Sequence, residues 1–406
     1  MNLLIATTPY KNHTKAIYNR ESDLASKSVL HQKEVLQYNL ASPFEFWSNE
    51  FENLGLNANI VFPRIPQFQE QWVNENKIRN INLNEEEVLL HQIKEYKTEI
   101  LFIFDFTFIT KAFLHRVREI SKKIIIVTWY GAPISNQKDL SLCDYVLTNS
   151  KNLCYELKNN GIKVNFIPHA FEPSIYKLRE FKFLQKSIDF SFIGSINDEA
   201  NTHLDRSRII EHLSRETGIQ VWSDLDKISF LNSLRLQVLA TRFDFANYIS
   251  DSSLLKKFAE MYPIKRWSEL KVRPNLHFKN FKSIYKKLHQ PVYGQDMLKI
   301  LGGSELTFNG HSLHTGIDSV NMRLFEASGM GTCQLVDDRP ILYDFFEPDH
   351  EILTFKTVSE AISKSKELLN DDRLRNQIAE NSKKKTLSSH TTKHQVIQVL
   401  DFLNLR

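Results

Sequence analysis

The residues best suited to chemistry crowd one stretch, GQDMLKILGGSELTFNGHSLHTGIDSVNMRLFEASGMGTCQLVDD, which runs from Gly294 to Asp338. Asp318, Arg323 and Glu326 bring charge to it. Asn309, Gly310, His311, Ser319 and Asn321 bring polar side chains or bare backbone. The pattern reads as a strand over 305–308, a loop over 309–318, a helix over 319–329, a tight turn at Gly329–Gly331 and a further strand. On that helix Arg323 and Glu326 share a face, being three residues apart. Asp318 and Glu326 stand eight residues apart, about 12 Å of helix at ~1.5 Å per residue. That span suits a ligand with a phosphate at one end and a ribose at the other. A carboxylate can accept hydrogen bonds from two neighbouring sugar hydroxyls, the task of the acidic residue in dinucleotide folds. A helix start offers free N–H groups and partial positive charge to a phosphate, and Ser319 reads as the N-cap here. The same residues also read as a surface ion pair beside ordinary turn glycines. Residue types alone leave both readings open.

Further candidates stand at strand ends in the first half: Asp105 after ILFIF, Tyr130–Gly131 after IIIVTW, and His169 after NFIP. A general base must come within hydrogen-bond reach of the hydroxyl it deprotonates. Asp105 and His169 are candidates for that role, and each also reads as structural. His289, His311 and His314 make no convincing ligand set, so no metal and no cofactor are expected. Asp337–Asp338 and Asp371–Asp372 read as strand-end and helix-start acids. From Lys256 to Lys287 ten Lys/Arg stand against two Glu, a local charge of +8 in a chain whose net charge is +4. Phe258, Tyr262, Trp267, Phe278, Phe281 and Tyr285 interleave with these cations. The segment reads as a solvated helical face with aromatics packed inward. It also reads as a contact for anionic lipid headgroups, at up to ~1 kcal/mol per cation, or for an anionic glycan or lipid-diphosphate acceptor. Nucleic acid ranks last, because no recognised motif supports it.

These residues need a frame to position them, and composition bounds it. The chain has 406 residues and 12 glycines, about 3% against a usual ~7%. Seven of the 12 fall between Gly294 and Gly331, where backbone must turn or approach something closely. Hydrophobic content of 42% with 25% charged residues excludes collagen-like, low-complexity and disordered classes. Three cysteines without metal spacing fit a reducing cytoplasm better than a disulfide framework. The N-terminus reads as a first strand and not as a signal peptide, and no apolar run approaches the ~20 residues that span a bilayer. Strands are expected at Asn2–Ala6, Ile100–Phe104, Ile124–Thr128, Tyr145–Leu147 and Lys163–Ile167, alternating with helices near 85–97, 110–121 and 150–160. A second alternating set runs from Ile188–Ile193 to Glu351–Thr354, and the chain ends in helices near 358–369, 371–385 and 391–404. Continuous apolar strands alternating with helices imply parallel sheets covered on both faces. The fold class is therefore α/β, two Rossmann-like domains facing a cleft. The expected division is an acceptor domain over 1–175, a donor domain over 176–390 with a basic helical insertion near 224–290, and a final helix over 391–406 crossing back.

The run NMRLFEASGMGTCQLVDD (321–338) resembles the donor-binding signature of GT-B glycosyltransferases, N-x-R-x-F-E-A-x-x-x-G followed by a strand ending in Asp. It most resembles the group related to the spore-maturation protein CgeB. The spacing of Asp318 and Glu326 is similar to the E-x7-E motif of retaining members, with Asp in the first place. DFSFIGSI (189–196) resembles the opening strand of the donor domain. Residues 145–176 resemble the end of the acceptor domain, although Pro168-His169-Ala170-Phe171-Glu172 lacks the usual Gly and Asp. HTTKHQVIQVL (390–400) resembles the helix that crosses back, without the Arg common there. The resemblance implies transfer of a sugar from a nucleotide-activated donor to a surface glycan, by a cytoplasmic and peripherally membrane-bound enzyme working without a metal. By motif match, Glu326 holds the ribose hydroxyls, and Gly194, Ser195 and the helix start at 319–323, including Asn321, face the diphosphate. Asp318 and Asn309–His311 lie near the donor sugar, and Arg323 neutralises the leaving diphosphate. The alternatives are a sugar-nucleotide epimerase of the same fold and a non-catalytic protein that binds glycan or polyanion.

Overall fold

The computed structural model describes residues 1–79, 81–131, 140–196, 204–225, 230–251, 282–311 and 317–405. It contains two parallel sheets of six strands each. The first comprises β1 (Asn2–Ala6), β2 (Asn57–Val61), β3 (Ile100–Ile103), β4 (Ile125–Trp129), β5 (Tyr145–Thr148) and β6 (Val164–Phe166), in the order β2-β1-β3-β4-β5-β6. Leu3 pairs with Ile100 and Ile100 with Ile125, so the most apolar strands lie at the centre. Every residue of β3 is buried, as a parallel strand covered by helices on both faces requires. β2 has no counterpart among the expected strands. Its sequence NANIV is interrupted by polar residues, which an edge strand tolerates: Asn57 is exposed and Asn59 half-buried.

The second sheet comprises β7 (Ile188–Ile193), β8 (Gln220–Trp222), β9 (Leu288–His289), β10 (Ser304–Asn309), β11 (Cys333–Asp337) and β12 (Leu353–Phe355). By contact density the chain divides into one unit of residues 1–193 with 292–406 and another of residues 194–291. In the first unit β10 pairs with β7 on one side and β11 on the other. In the second unit Val221 and Trp222 pair with Leu288 and His289, and the Trp222 and His289 rings stack 4.5 Å apart. That unit also holds the helices Leu204–Glu216 and Phe230–Asp251. Most of the basic stretch, residues 252–281 with five of its six aromatics, lies outside the described residues, as do His314 and Gly316.

The last helix, Thr392–Phe402, buries Val396, Val399 and Leu400 in the core of the first sheet. Its Gln395 ties two first-half groups together: Oε1 accepts from Trp47 Nε1 at 2.8 Å, and Nε2 donates to the Pro168 carbonyl at 2.8 Å. Where the chain leaves the first half, Phe171 N donates to His390 O at 2.9 Å and Thr392 N to Phe171 O at 3.0 Å. The Phe171 ring lies where a side chain on residue 329 would stand, 2.3–2.5 Å from an added Cβ, so only glycine fits at Gly329. All three cysteines are buried free thiols.

One expected element begins later than its pattern indicates. The helix at 319–329 spans only Arg323–Gly329, and Ser319 is not its N-cap. Asn321 Oδ1 instead accepts from Leu324 N at 3.2 Å and starts the helix there. Ser319 pairs in an antiparallel bridge with Ser150 of the first half. The eight residues from Asp318 to Glu326 are therefore not one continuous helical rise.

Candidate functional site

In the second half the site is built on the end of β10 and the short helix after it. Asn309, the last residue of β10, is buried; its Oδ1 accepts from Asn321 Nδ2 at 2.8 Å and its Nδ2 donates to Gln334 Oε1 at 3.2 Å. Gln334 Nε2 donates in turn to Leu324 O at 2.9 Å and Ser328 Oγ at 2.6 Å. This relay fixes the helix against β10 and β11. Gly310 is buried beside it. His311 donates to the Oδ1 of Asp337 from its backbone N at 2.8 Å and contacts it through Nδ1 at 2.7 Å, while Arg339 Nε lies 2.6 Å from Oδ2. Burial favours the neutral form of Asp337, but the bonds and charges of His311 and Arg339 overcome it and hold the carboxyl well below the usual range.

Arg323 and Glu326 do meet, as their spacing requires: Nη1 lies 2.9 Å from Oε2. The pair is buried and not on the surface, with side chains 19% and 9% exposed. Burial pushes the Glu326 carboxyl above its ordinary range, and the Arg323 charge offsets only part of that shift. Arg323 also contacts Met297 Sδ, and its buried Nε has no hydrogen-bond partner. A buried charge pair with unspent donor capacity costs stability unless a ligand completes it.

Asp318 faces elsewhere. Its Oδ2 accepts from Ser150 Oγ at 2.5 Å and Asn152 N at 2.9 Å, and its carbonyl accepts from Lys151 N at 3.3 Å. Ser150 is the N-cap of the helix Lys151–Asn159, so the carboxylate sits at the positive end of that helix dipole. Lys151 Nζ pairs with Asp344 Oδ2 at 2.5 Å. The segment around Asp318 is thereby fastened to the first half.

Asp105 and His169 share no hydrogen bond among the described residues. Asp105 accepts from Thr107 N at 2.9 Å, Thr107 Oγ1 at 2.5 Å and Arg64 Nη1 at 3.2 Å. Burial raises its pKa, but these bonds outweigh that and hold it below the ordinary value, a poor match for a general base. His169 Nε2 lies 2.8 Å from Asn149 Nδ2, and burial pushes its imidazole down to about 4. It is neutral near pH 7, so Nε2 accepts from the amide. Its ring meets Trp129 at 5.7 Å and Phe44 at 6.2 Å, and Phe44 meets Phe104 at 4.6 Å. The residue types of Phe44, Trp129 and Asn149 give no local signal that they converge, because they come from a helix and two strand ends far apart in sequence. Glu45 was hidden for the same reason. It is buried, accepts from Thr7 Oγ1 at 3.3 Å, and burial raises its pKa to about 7.

Gly194 and Ser195 belong to the 194–291 unit. Gly194 N donates to Trp222 O at 3.1 Å, and Ser195 Oγ lies 2.9 Å from both carboxylate oxygens of Asp224. Among the described residues no three His, Cys, Asp or Glu side chains gather as a metal set.

Residues 241–401, less than half of the chain but including Asn309, Arg323 and Glu326, match the family described as glycosyl transferase-like. No curated protein sequence matches the chain. Solved structures resemble it throughout its length. AviGT4, a glycosyltransferase involved in avilamycin A biosynthesis, has a TM-score of 0.53 at 9% identity, covering 100% of this chain and 97% of its own. HepE of Anabaena in complex with UDP-glucose has a TM-score of 0.52 at 10% identity over 99% of each chain. A glycosyltransferase of Rickettsia africae ESF-5 has a TM-score of 0.52 at 13% identity over 99% and 98%. These likenesses give the fold, the GT-B arrangement. The fold is thus that of GT-B glycosyltransferases, and residues 241–401 resemble the glycosyl transferase-like family.

Proposed function

We propose that this chain transfers a sugar from a nucleotide-activated donor, bound in its second half, to a growing surface glycan such as a capsule, O-antigen or lipopolysaccharide chain. Within the class, the run 321–331 favours the CgeB-like group. The observation that carries the reading is the buried Arg323–Glu326 pair inside the matched region. One Glu326 oxygen takes the Arg323 bond, and the other takes none from the described residues, which leaves it for the ribose hydroxyls. Arg323 neutralises charge on the leaving diphosphate, where a preorganised cation lowers the barrier most. Gly194 and Ser195 serve the phosphate side. Asn309, Asn321 and His311 act chiefly by fixing the loop and helix that carry the pair. The Asp318–Glu326 spacing favours retention at the anomeric carbon, without a metal ion.

The test is thermal stabilisation by UDP, GDP and CDP. At least one should stabilise the wild type, and Glu326→Ala should lose most of that shift while still unfolding cooperatively. Equal stabilisation of the two proteins would remove Glu326 from the donor site. Stabilisation by polyanions alone would favour the binding-protein alternative.

The cationic stretch 256–287 adds a peripheral position on the inner face of a membrane to this reading. Among the described residues no helix is long and apolar enough to cross a membrane. Replacing the ten cations with glutamine should abolish sedimentation with phosphatidylserine vesicles in low salt; unchanged sedimentation would sink the idea.

A further inference from the structure

We propose that the exposed apolar stripe of the helix Phe230–Asp251 docks on an anionic membrane surface, its side chains entering the headgroup layer. The inference rests on the reading that residues 256–287 meet such a surface, and it adds the apolar half of that contact. Leu234, Val238, Phe245 and Tyr248 are 48%, 42%, 49% and 67% exposed. With Thr241 they step along the chain by four, three, four and three residues, so all five share one side of this 22-residue helix. The opposite side is the packed one: Ala240 and Ala246 are buried, and Leu239 and Phe243 are half-buried.

A single exposed apolar side chain needs no explanation, but four in one stripe ask for a cover. Charge indicates which cover. Arg235 and Arg242, both exposed, border one edge of the stripe, and exposed Asp244 borders the other. The stretch of net charge +8 begins at Lys256, five residues beyond the end of the helix. An anionic lipid surface attracts that stretch, whereas a second copy of the chain brings the same charge and repels it. The stripe is also small for a dimer. At about 21 Å long and ~10 Å wide it covers roughly 200 Å² on each copy, against ~1,200–2,000 Å² in total for a stable interface. A lipid surface sets no such minimum, because each apolar side chain that leaves water contributes by itself. The polar members fit as well. Thr241 Oγ1 donates to Gln237 O at 2.9 Å, so its hydroxyl is satisfied within the helix. Tyr248 combines an apolar ring with a hydroxyl that stays wet, which suits the boundary between headgroup and acyl chain.

The test uses the full chain carrying Thr241→Cys. The three native thiols are buried, so a nitrobenzoxadiazole dye labels position 241. Vesicles of equimolar phosphatidylserine and phosphatidylcholine, with and without doxyl groups on the acyl chains, read its depth. On binding, the dye emission should shift to the blue and be quenched by the doxyl chains. A second protein carries Leu234→Ser, Val238→Ser, Phe245→Ser and Tyr248→Ser together. In high salt, which screens the cations but not apolar contact, it should bind these vesicles about tenfold more weakly than the wild type. The dye tests the stripe even if that variant fails to fold. Sedimentation with the vesicles while the dye stays unquenched would overturn the stripe and leave the cationic contact standing. Quenching that persists when the ten cations are replaced with glutamine would overturn the cationic contact and leave the stripe standing. An unquenched dye together with a dimer in light scattering that the four serines abolish would assign the face to a second copy and overturn the proposal.

Discussion

The two halves gather opposite chemistry. At the end of β10 the second half keeps a buried guanidinium and carboxylate 2.9 Å apart, with the guanidinium Nε unpartnered. At the ends of β4 and β5 the first half gathers aromatic rings, an amide and an imidazole that burial keeps neutral. Charge taken from water must be balanced by charge, so the second region is suited to an anionic diphosphate. The first region asks for no such balance.

The sharpest way to break the contrast is to strand one charge. Arg323→Met leaves the Glu326 carboxyl buried and unpaired, which should cost about 3–5 kcal/mol. The carboxyl is already raised above its ordinary range, and losing Arg323 raises it further. Its folded form then binds more protons than its unfolded form, so the variant should lose stability as pH rises from 5 to 8. Urea unfolding at both pH values measures it; a loss independent of pH would mean that Glu326 is not the stranded group. By contrast, Asn149→Leu should change stability little with pH.

Glu45 probes the first half. Its folded pKa of about 7 lies above the ordinary 4.5. Its stabilising share is therefore present below pH 4.5 and lost as pH rises through 7, about 3 kcal/mol in all. Glu45→Gln should remove that slope from the urea-unfolding profile, and an unaltered slope would show that the carboxyl is solvated. The smallest effect belongs to the fastening between halves. Asp318→Asn should cost about 1 kcal/mol, since a charged acceptor at a helix start becomes neutral. Faster hydrogen exchange at the Asn152 amide would register it, and unchanged protection would discount the bond.

Much of this frame is legible in the chain itself. ILFI and IIVTW read as buried parallel strands because both faces of each are covered and every position is apolar or nearly so. Arg323 and Glu326 read as a pair because three residues on a helix make neighbours. β2 escapes notice because an edge strand carries asparagines. The delayed start of the helix at Arg323 escapes for another reason: residues 318 and 319 are claimed by Ser150, 168 positions away from Asp318, and local propensity cannot anticipate a distant partner. The contacts among Phe44, Phe104, Trp129 and His169 were equally invisible, since these rings meet only once the sheet has formed. The sequence pattern located the Arg323–Glu326 pair more readily than the aromatic cluster around His169, because charge at a fixed helical interval is a local signal, whereas that cluster is a property of three segments at once.

The paired passage at Phe171 and Thr391 carries a mechanical consequence. The polypeptide crosses from the first half at one residue and returns at the other, and the two crossings are hydrogen-bonded side by side. A single crossing would swivel like a ball joint. Two bonded crossings bend readily about one axis and resist torsion, like a door on two leaves. Opening along that coordinate therefore requires the Asp318–Ser150, Lys151–Asp344 and Gln295–Tyr38 contacts to release together.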